Sequence, residues 1–322
     1  MSNIEAAPAE FECGSAADDR VRGQLIEPRE VPLGGPRGMQ VRRTLPRRAR
    51  SLIGAWCFVD HYGPEDVAAT GGMRVAGHPH TGLQTVSWLF SGEIEHRDTT
   101  GAHARVRPGE VNLMTAGAGI AHSEYSTADT TVLHGVQLWV ALPERSRFTA
   151  PGFEHFAPPV VEHEGARALV FIGSLLGCTA PVRTHTPLLG AEITLPAERE
   201  VRIEVDPAFE HGVLVDTGEV TASGVEATAG GLVYQPPGAG ELSLRSADGA
   251  RVLLLGGPPL GEQIVMWWNF VGRSHEEIVE FREQWQAERD GAGTGRFGPF
   301  PQQWAQTLPA PALPNARLRG RG

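Results

Sequence analysis

The chain has 322 residues, of which 41% are hydrophobic and 20% charged, enough for one large domain or two ordinary ones, with two as the expectation. Asp+Glu 38 against Lys+Arg 28 gives a formal net charge of -10, which excludes an extended phosphate-tracking surface and with it direct nucleic-acid binding. Cys13, Cys57 and Cys178 are too few and too widely spaced for a disulfide framework or a Cys-x-x-Cys knuckle, and no apolar run reaches the roughly 18 residues that span a bilayer, so a cytoplasmic, membrane-free protein is expected.

In chain order, residues 1–22 are acidic, small and polar and predict a disordered lead. The segment "RGMQVRRTLPRRAR" follows, with Arg37, Arg42, Arg43, Arg47, Arg48 and Arg50 read as a solvated strand and loop. Gly 40 and Pro 25 make up about a fifth of the chain, and short alternating runs such as "LQTVSWLF", "IEHRD" and "VNLMT" predict strands joined by tight turns. A second β-rich stretch runs from "RALVFIGSLLG" to "ARVLLLGG". The two stretches share a repeat: "PGEVNLMTAGAG" laid over "AGGLVYQPPGAG" aligns Gly109 with Gly230, Gly117 with Gly238 and Gly119 with Gly240, and "SGEI" matches "TGEV" upstream. The expected fold is therefore all-β, two tandem barrels over 23–150 and 151–272. "SHEEIVEFREQWQAERD" then predicts a C-terminal helix over 273–290, with Ser274 as N-cap, Glu277 completing a capping box, and Ile278, Phe281 and Trp285 on one face. Residues 291–322 read as a Gly- and Pro-rich tail that straps on in part.

The chemistry concentrates at two short motifs. "GHPHTG" places His78 and His80 at i, i+2, so a strand aims both imidazoles to one side, with Pro79 tolerated only at a strand end or edge. "GIAHSEYS" places His122 and Glu124 at the same spacing. Facing each other inside a barrel, the pairs offer three imidazoles and a carboxylate to one divalent ion, a set that suits iron(II), manganese, cobalt, nickel, copper or zinc and leaves positions open on an octahedral metal. His96 and His103 are read as exposed, His134 as a strand histidine bonded to backbone or solvent, and Asp60 and His61 as turn-forming. Phe58, Trp88, Met114 and Trp139 are candidate inward wall residues of the first barrel, though each is also an ordinary core residue.

The repeat is an internal control. Its alignment sets Ser243 and Arg245 against His122 and Glu124, and Glu204 and Asp206 against His78 and His80, with His211 on no ligand position. Serine ligates poorly and a guanidinium not at all, so one metal site per chain is expected.

The run "GHPHTGLQTVSWLFSGEIEHRDTTGAHARVRPGEVNLMTAGAGIAHSE", with "FVDHYGP" before it and "GVQLWVALP" after, resembles the signature of the pirin family, which are bicupins of two cupin-type barrels. The match is dense over residues 50–143 and thinner beyond. The resemblance implies one mononuclear non-haem metal, iron(II) first, on His78, His80, His122 and Glu124, in a monomer. It also implies two activities: quercetin 2,3-dioxygenase chemistry on a flavonol and dioxygen, with Glu124 as the base for the flavonol 3-hydroxyl, or iron-dependent co-regulation through a protein partner. Gln84 stands where many pirins carry glutamate, a departure expected to alter charge near the metal or substrate orientation. The segment "MWWNFVGRSHEEI" also departs from better-known pirins and suggests a bacterial branch.

Overall fold

The computed structural model describes residues 11–13, 23–33, 39–293, 295–304 and 306–320. Two barrels repeat one plan, each a seven-stranded sheet facing a four-stranded sheet. In the first, the large sheet runs in the order Gly152–Phe156, Val111–Thr115, Leu83–Ser91, Val132–Ala141, Trp56–Asp66, Met39–Leu45, Arg29–Leu33. Its small sheet runs Arg74–His80, Ile120–Ser126, Ile94–Asp98, His103–Val106. The second barrel pairs Val160–His163, Ala166–Ile172, Leu189–Leu195, Ala250–Gly257, Glu210–Thr217, Leu232–Gln235 and Gln24–Ile26 with a small sheet of Glu200–Glu204, Glu241–Arg245, Glu219–Ala222 and Val225–Thr228. The aligned glycines of the repeat share backbone geometry: Gly109 and Gly230 both turn with positive φ, 73° and 90°, a region that favours residues without Cβ.

The barrels exchange edges. Gln24–Ile26, from before the first barrel, pairs with Leu232–Gln235 of the second. Gly152–Phe156, which follows the first barrel, pairs with Val111–Thr115 inside it. Between the two large sheets lies a shared apolar layer that includes Trp56, Val86, Trp88, Val136 and Leu138 from one barrel and Phe171, Leu214, Leu253 and Leu255 from the other. Along Leu83–Ser91 the parity is plain: Val86 and Trp88 enter this layer, while Leu83 joins the first barrel's interior with Phe58, Met114 and Trp139.

The helix forms over His275–Arg289. Ser274 Oγ accepts from Glu277 N at 3.2 Å and Ile278, Phe281 and Trp285 are buried, as the N-cap and spacing predict, whereas the Glu277 carboxylate reaches one residue past the cap and accepts from Arg273 N at 2.7 Å. No helix among the described residues is long and apolar enough to cross a membrane.

The lead was expected to be disordered, but Phe11–Cys13 forms a strand against Ile264–Trp267; the rest of residues 1–22 lies outside the described residues. The tail straps on over most of its described length. Phe297 is fully buried, Leu308 N donates to Gly77 O at 2.7 Å, and a Cβ on Gly77 would meet the Trp304 ring at 2.5 Å. The arginine segment is less solvated than expected, and Arg37 lies outside the described residues. Arg43 reaches Asp60 through two bonds of 2.6 and 2.8 Å, and Arg50 stacks over Tyr234 at 3.4 Å and meets Glu210 at 3.3 Å. Both arginines are buried, so each needs the partner charge it has.

Candidate metal centre

Three adjacent strands of the first small sheet each bring an i, i+2 pair to the barrel interior. Arg74–His80 carries His78 and His80, Ile120–Ser126 carries His122 and Glu124, and Ile94–Asp98 carries His96 and Asp98. Register sets His122 opposite His78 on one side and Asp98 on the other, and Glu124 opposite His96. Arg74–His80 is the edge of that sheet, the setting Pro79 requires. Between His78 and Val75 the pairing slips by one residue against His122 and Glu124, and the resulting bulge falls beside the paired histidines, where such irregularities re-aim side chains.

His78, His80 and His122 are fully buried, their ligating nitrogens lie within 4.8 Å of one another, and together they form a group able to hold a metal ion. His80 Nε2 and His122 Nε2 are 3.1 Å apart. The His78 Nδ1–H donates to Ala76 O at 2.8 Å, so its Nε2 carries a lone pair, and that buried Nε2 has no partner among the described residues. Burial pushes the His78 imidazole down to about 4 and holds those of His80 and His122 well below the usual histidine value, so all three are neutral near pH 7, the form that ligates.

Glu124, buried at 1% exposure, groups within the same reach of His122 and His96, and its charge acts on His78. It is not part of the three-histidine group. Ser87 Oγ donates to Gln137 Oε1 at 2.9 Å and lies 3.5 Å from Glu124 Oε1. Trp139 meets the His80 ring edge-on at 5.2 Å and stacks on Phe58 at 4.0 Å. Trp88 does not line this interior. It stacks on Phe171 of the second barrel at 4.6 Å and its Nε1–H donates to Glu192 at 2.7 Å, because it has the opposite parity on its strand from the inward residues.

Several other expectations change. His96 is buried, not exposed: its Nδ1 lies 3.3 Å from His122 Nδ1, its Nε2 3.0 Å from Asp98 Oδ2, and Phe153 stacks on it at 4.7 Å. Burial opposes ionisation of Asp98, yet the hydrogen bonds from His96 and Thr100 hold its carboxyl below the usual value. His103 is exposed, as expected. Asp60 and His61 sit within the strand Trp56–Asp66 rather than in a turn. His61 and His134 both reach Asp216 Oδ1 of the second barrel, at 2.7 and 2.6 Å, so His134 is bonded to a side chain and not to backbone or solvent. Arg251 holds the other oxygen of Asp216 at 2.6 Å. This second buried group belongs to the join between barrels.

The control from the repeat also needs correction. In the second barrel Val201, Ile203, Leu242 and Leu244 fill the interior, whereas Arg202, Glu204, Ser243 and Arg245 alternate outward. The aligned residues were one step off the inward face, and a one-residue slip exchanges the faces of a strand. The four residues that take the inward places on these strands, Val201, Ile203, Leu242 and Leu244, cannot ligate at all.

Two tandem barrels on one plan, with a histidine cluster inside the first, define a bicupin. Family models match both halves: Pirin over residues 38–140, and the Pirin C-terminal cupin domain over 190–291. The chain belongs to the pirin family. It is 42% identical, over 90% of this chain and 90% of the relative, to a Pseudomonas aeruginosa protein provisionally named a quercetin 2,3-dioxygenase. It is 32% identical to a pirin-like protein of Caulobacter vibrioides, over 86% of this chain and 99% of that one. The crystal structure of a quercetin 2,3-dioxygenase from Acinetobacter baumannii superposes with a TM-score of 0.86 at 40% identity, covering 92% of this chain and 97% of that chain.

Proposed function

We propose that this pirin is a mononuclear metal-dependent dioxygenase of the quercetin 2,3-dioxygenase type, with the ion held by His78, His80, His122 and Glu124. The observation that carries the reading is the convergence of three neutral, buried imidazoles, one of them with its tautomer fixed by Ala76 O and an Nε2 that meets no partner among the described residues. A donor set of this kind fits a divalent ion, with iron(II) first and manganese, cobalt, nickel, copper or zinc as alternatives. When bound, the metal supplies the Lewis acidity and redox chemistry through which a flavonol and dioxygen can react.

The residues of the chain have separable tasks. The His78 bond to Ala76 O orients its ring, and Trp139 against His80 limits the movement of that ring and excludes water from one side. Glu124 is the base: a carboxylate beside the metal accepts the proton of the flavonol 3-hydroxyl. The names of the relatives support a flavonol as substrate.

The test is metal content in protein purified without chelator, followed by aerobic quercetin loss in wild type, Glu124→Ala and His122→Ala. Near one metal per chain is expected in the wild type, with turnover about 10²-fold or more lower in Glu124→Ala, the range for loss of a general base. A wild type loaded with each candidate ion that leaves quercetin untouched overturns the enzyme reading. Intact metal without turnover then favours a protein that binds a partner according to the state of its metal.

A further inference from the structure

The buried pair His96 and Asp98 has no part in the reading above, and it lies directly behind a proposed ligand. With the His96 ring taken as neutral, the distances leave one consistent set of protons. Asp98 Oδ1 is committed to the turn that follows, accepting from Thr100 N, Thr100 Oγ1 and Ala102 N at 2.8, 2.6 and 3.2 Å. Asp98 Oδ2, an acceptor only, faces His96 Nε2 at 3.0 Å, so that nitrogen carries the proton. His96 Nδ1 then keeps the lone pair, faces His122 Nδ1 at 3.3 Å and accepts its proton. That leaves the lone pair of His122 on Nε2, the nitrogen 3.1 Å from His80 Nε2.

We propose that Asp98 and His96 form a hydrogen-bonded relay behind His122 that fixes the tautomer and orientation of that imidazole and strengthens its hold on the metal. The relay rests on the reading of His122 as a ligand. It resembles in logic the carboxylate-to-histidine support found behind metal-bound imidazoles, with a second imidazole inserted between carboxylate and ligand. The fold builds it from three neighbouring elements. Register pairs Asp98 with His122 across adjacent strands, Thr99 Oγ1 accepts from Ala121 N at 3.1 Å and ties the turn to the ligand strand, and Phe153 stacks on the His96 ring. His96 and Asp98 are therefore positioning residues, since neither needs to touch substrate.

One competing arrangement makes His96 a direct ligand, because its donor atoms lie within reach of His122 and Glu124. The bond to Asp98 occupies its Nε2, and its Nδ1 is aimed at the far side of His122 from His80, which favours the relay. The two arrangements differ in what glutamine does at this position. A Gln side chain can accept from His122 and donate to Asp98, whereas it is a poor substitute for an imidazole ligand.

The experiment titrates cobalt(II) alone into the metal-free full-length chain against a competing chelator, reading affinity and the visible cobalt spectrum, with no substrate present. His96→Leu keeps similar volume and should bind cobalt about 10- to 100-fold more weakly, with an altered spectrum. Asp98→Asn should do the same for a different reason. With its oxygen still serving the turn, its amide donates toward His96 and drives the His96 proton onto Nδ1, where it meets the proton of His122. His96→Gln should restore most of the affinity and the wild-type spectrum. The relay is overturned if folded His96→Leu and Asp98→Asn match the wild type in both readouts. It is also overturned, in favour of direct ligation, if His96→Gln loses cobalt as completely as His80→Ala. A wild type that takes up no cobalt sinks the metal reading itself, and is distinguished from failure of the relay because every variant then gives the same null titration.

Discussion

The two barrels have the same strands in the same order and opposite interiors. In the first, the small sheet turns His78, His80, His96, Asp98, His122 and Glu124 inward, and the opposite sheet adds Ser87 and Gln137. In the second, the corresponding volume is filled by Val201, Ile203, Leu242, Leu244 and the apolar residues packed on them. Backbone hydrogen bonding and strand alternation specify the barrel in both cases, and what fills it is a separate choice. A buried apolar interior stabilises the fold directly, at roughly 25 cal/mol per Å² removed from water. A buried polar interior does so only when every group has a partner, and a metal ion would be the partner of the His78 Nε2 that no described residue meets. The second barrel and the shared layer between the sheets thus hold the scaffold rigid, and the first barrel can keep a cluster of buried imidazoles.

The sharpest way to break this contrast is one truncation in each barrel. Leu244→Ala should cost about 2–5 kcal/mol of unfolding free energy, the usual result of a cavity in a packed core, and leave cobalt affinity unchanged. His80→Ala should abolish stoichiometric metal uptake while metal-free stability changes less, since burial of a polar imidazole gains less than burial of an aliphatic side chain. Denaturant unfolding and metal titration on both variants check this together. A Leu244→Ala protein that loses cobalt affinity would show that the barrels are coupled more tightly than their separate interiors suggest.

Sequence pattern made much of this contrast legible. The glycines of the repeat carried the duplicated plan, and the i, i+2 spacing of His-Pro-His and His-Ser-Glu carried three converging imidazoles. The same spacing in "EHRD" was misread because Glu95 and Arg97 are charged. In a strand that is the opposite of a reason for exposure: charged outward neighbours are what place His96 and Asp98 inward. The slip at Ser243 and Arg245 has the same origin, since an alignment anchored on turn glycines fixes the loops but not the parity of the strand that follows. Asp216 could not be found this way at all. It meets His61 and His134 across the join between barrels, and nothing local in the sequence marks a pairing of that range.

A smaller difference between the interiors lies in their response to acid. His211 points into the second barrel among apolar residues, and burial pushes its imidazole down to about 4. The unfolded chain takes up a proton near pH 6.5 and the folded one only near 4, so between these values the unfolded state binds more protons and stability falls as pH falls. This histidine alone should account for about 3 kcal/mol of loss between pH 7 and 4, levelling off about one pH unit below that. His211→Leu should make the loss shallower by about that amount, measured by urea unfolding at each pH. His78 carries a shift in the same direction and remains in both proteins, so the comparison isolates the second barrel. An unchanged slope in the variant would mean that His211 gains a partner the fold does not show.

The smallest expected effect concerns Gln84, the position that the family resemblance marked as a departure. It was expected to alter the surroundings of the metal, but its strand parity sends it the other way, toward the second barrel. Its amide Nε2 donates to Thr115 Oγ1 at 2.9 Å and to the carbonyl of Arg183 at 3.0 Å, and the residue is fully buried. Gln84→Glu would replace that donor with an oxygen facing a carbonyl that can only accept. The cost should be about 1–3 kcal/mol, the range for an unsatisfied buried hydrogen-bonding group, read as a lower urea midpoint at neutral pH. Cobalt affinity and flavonol turnover should stay at the wild-type level, because the altered charge lies on the far face of the sheet from His78, His80 and His122. A change in metal affinity with stability intact would place the residue on the metal side after all, and would make glutamine at this position part of the site's chemistry instead of part of the join between barrels.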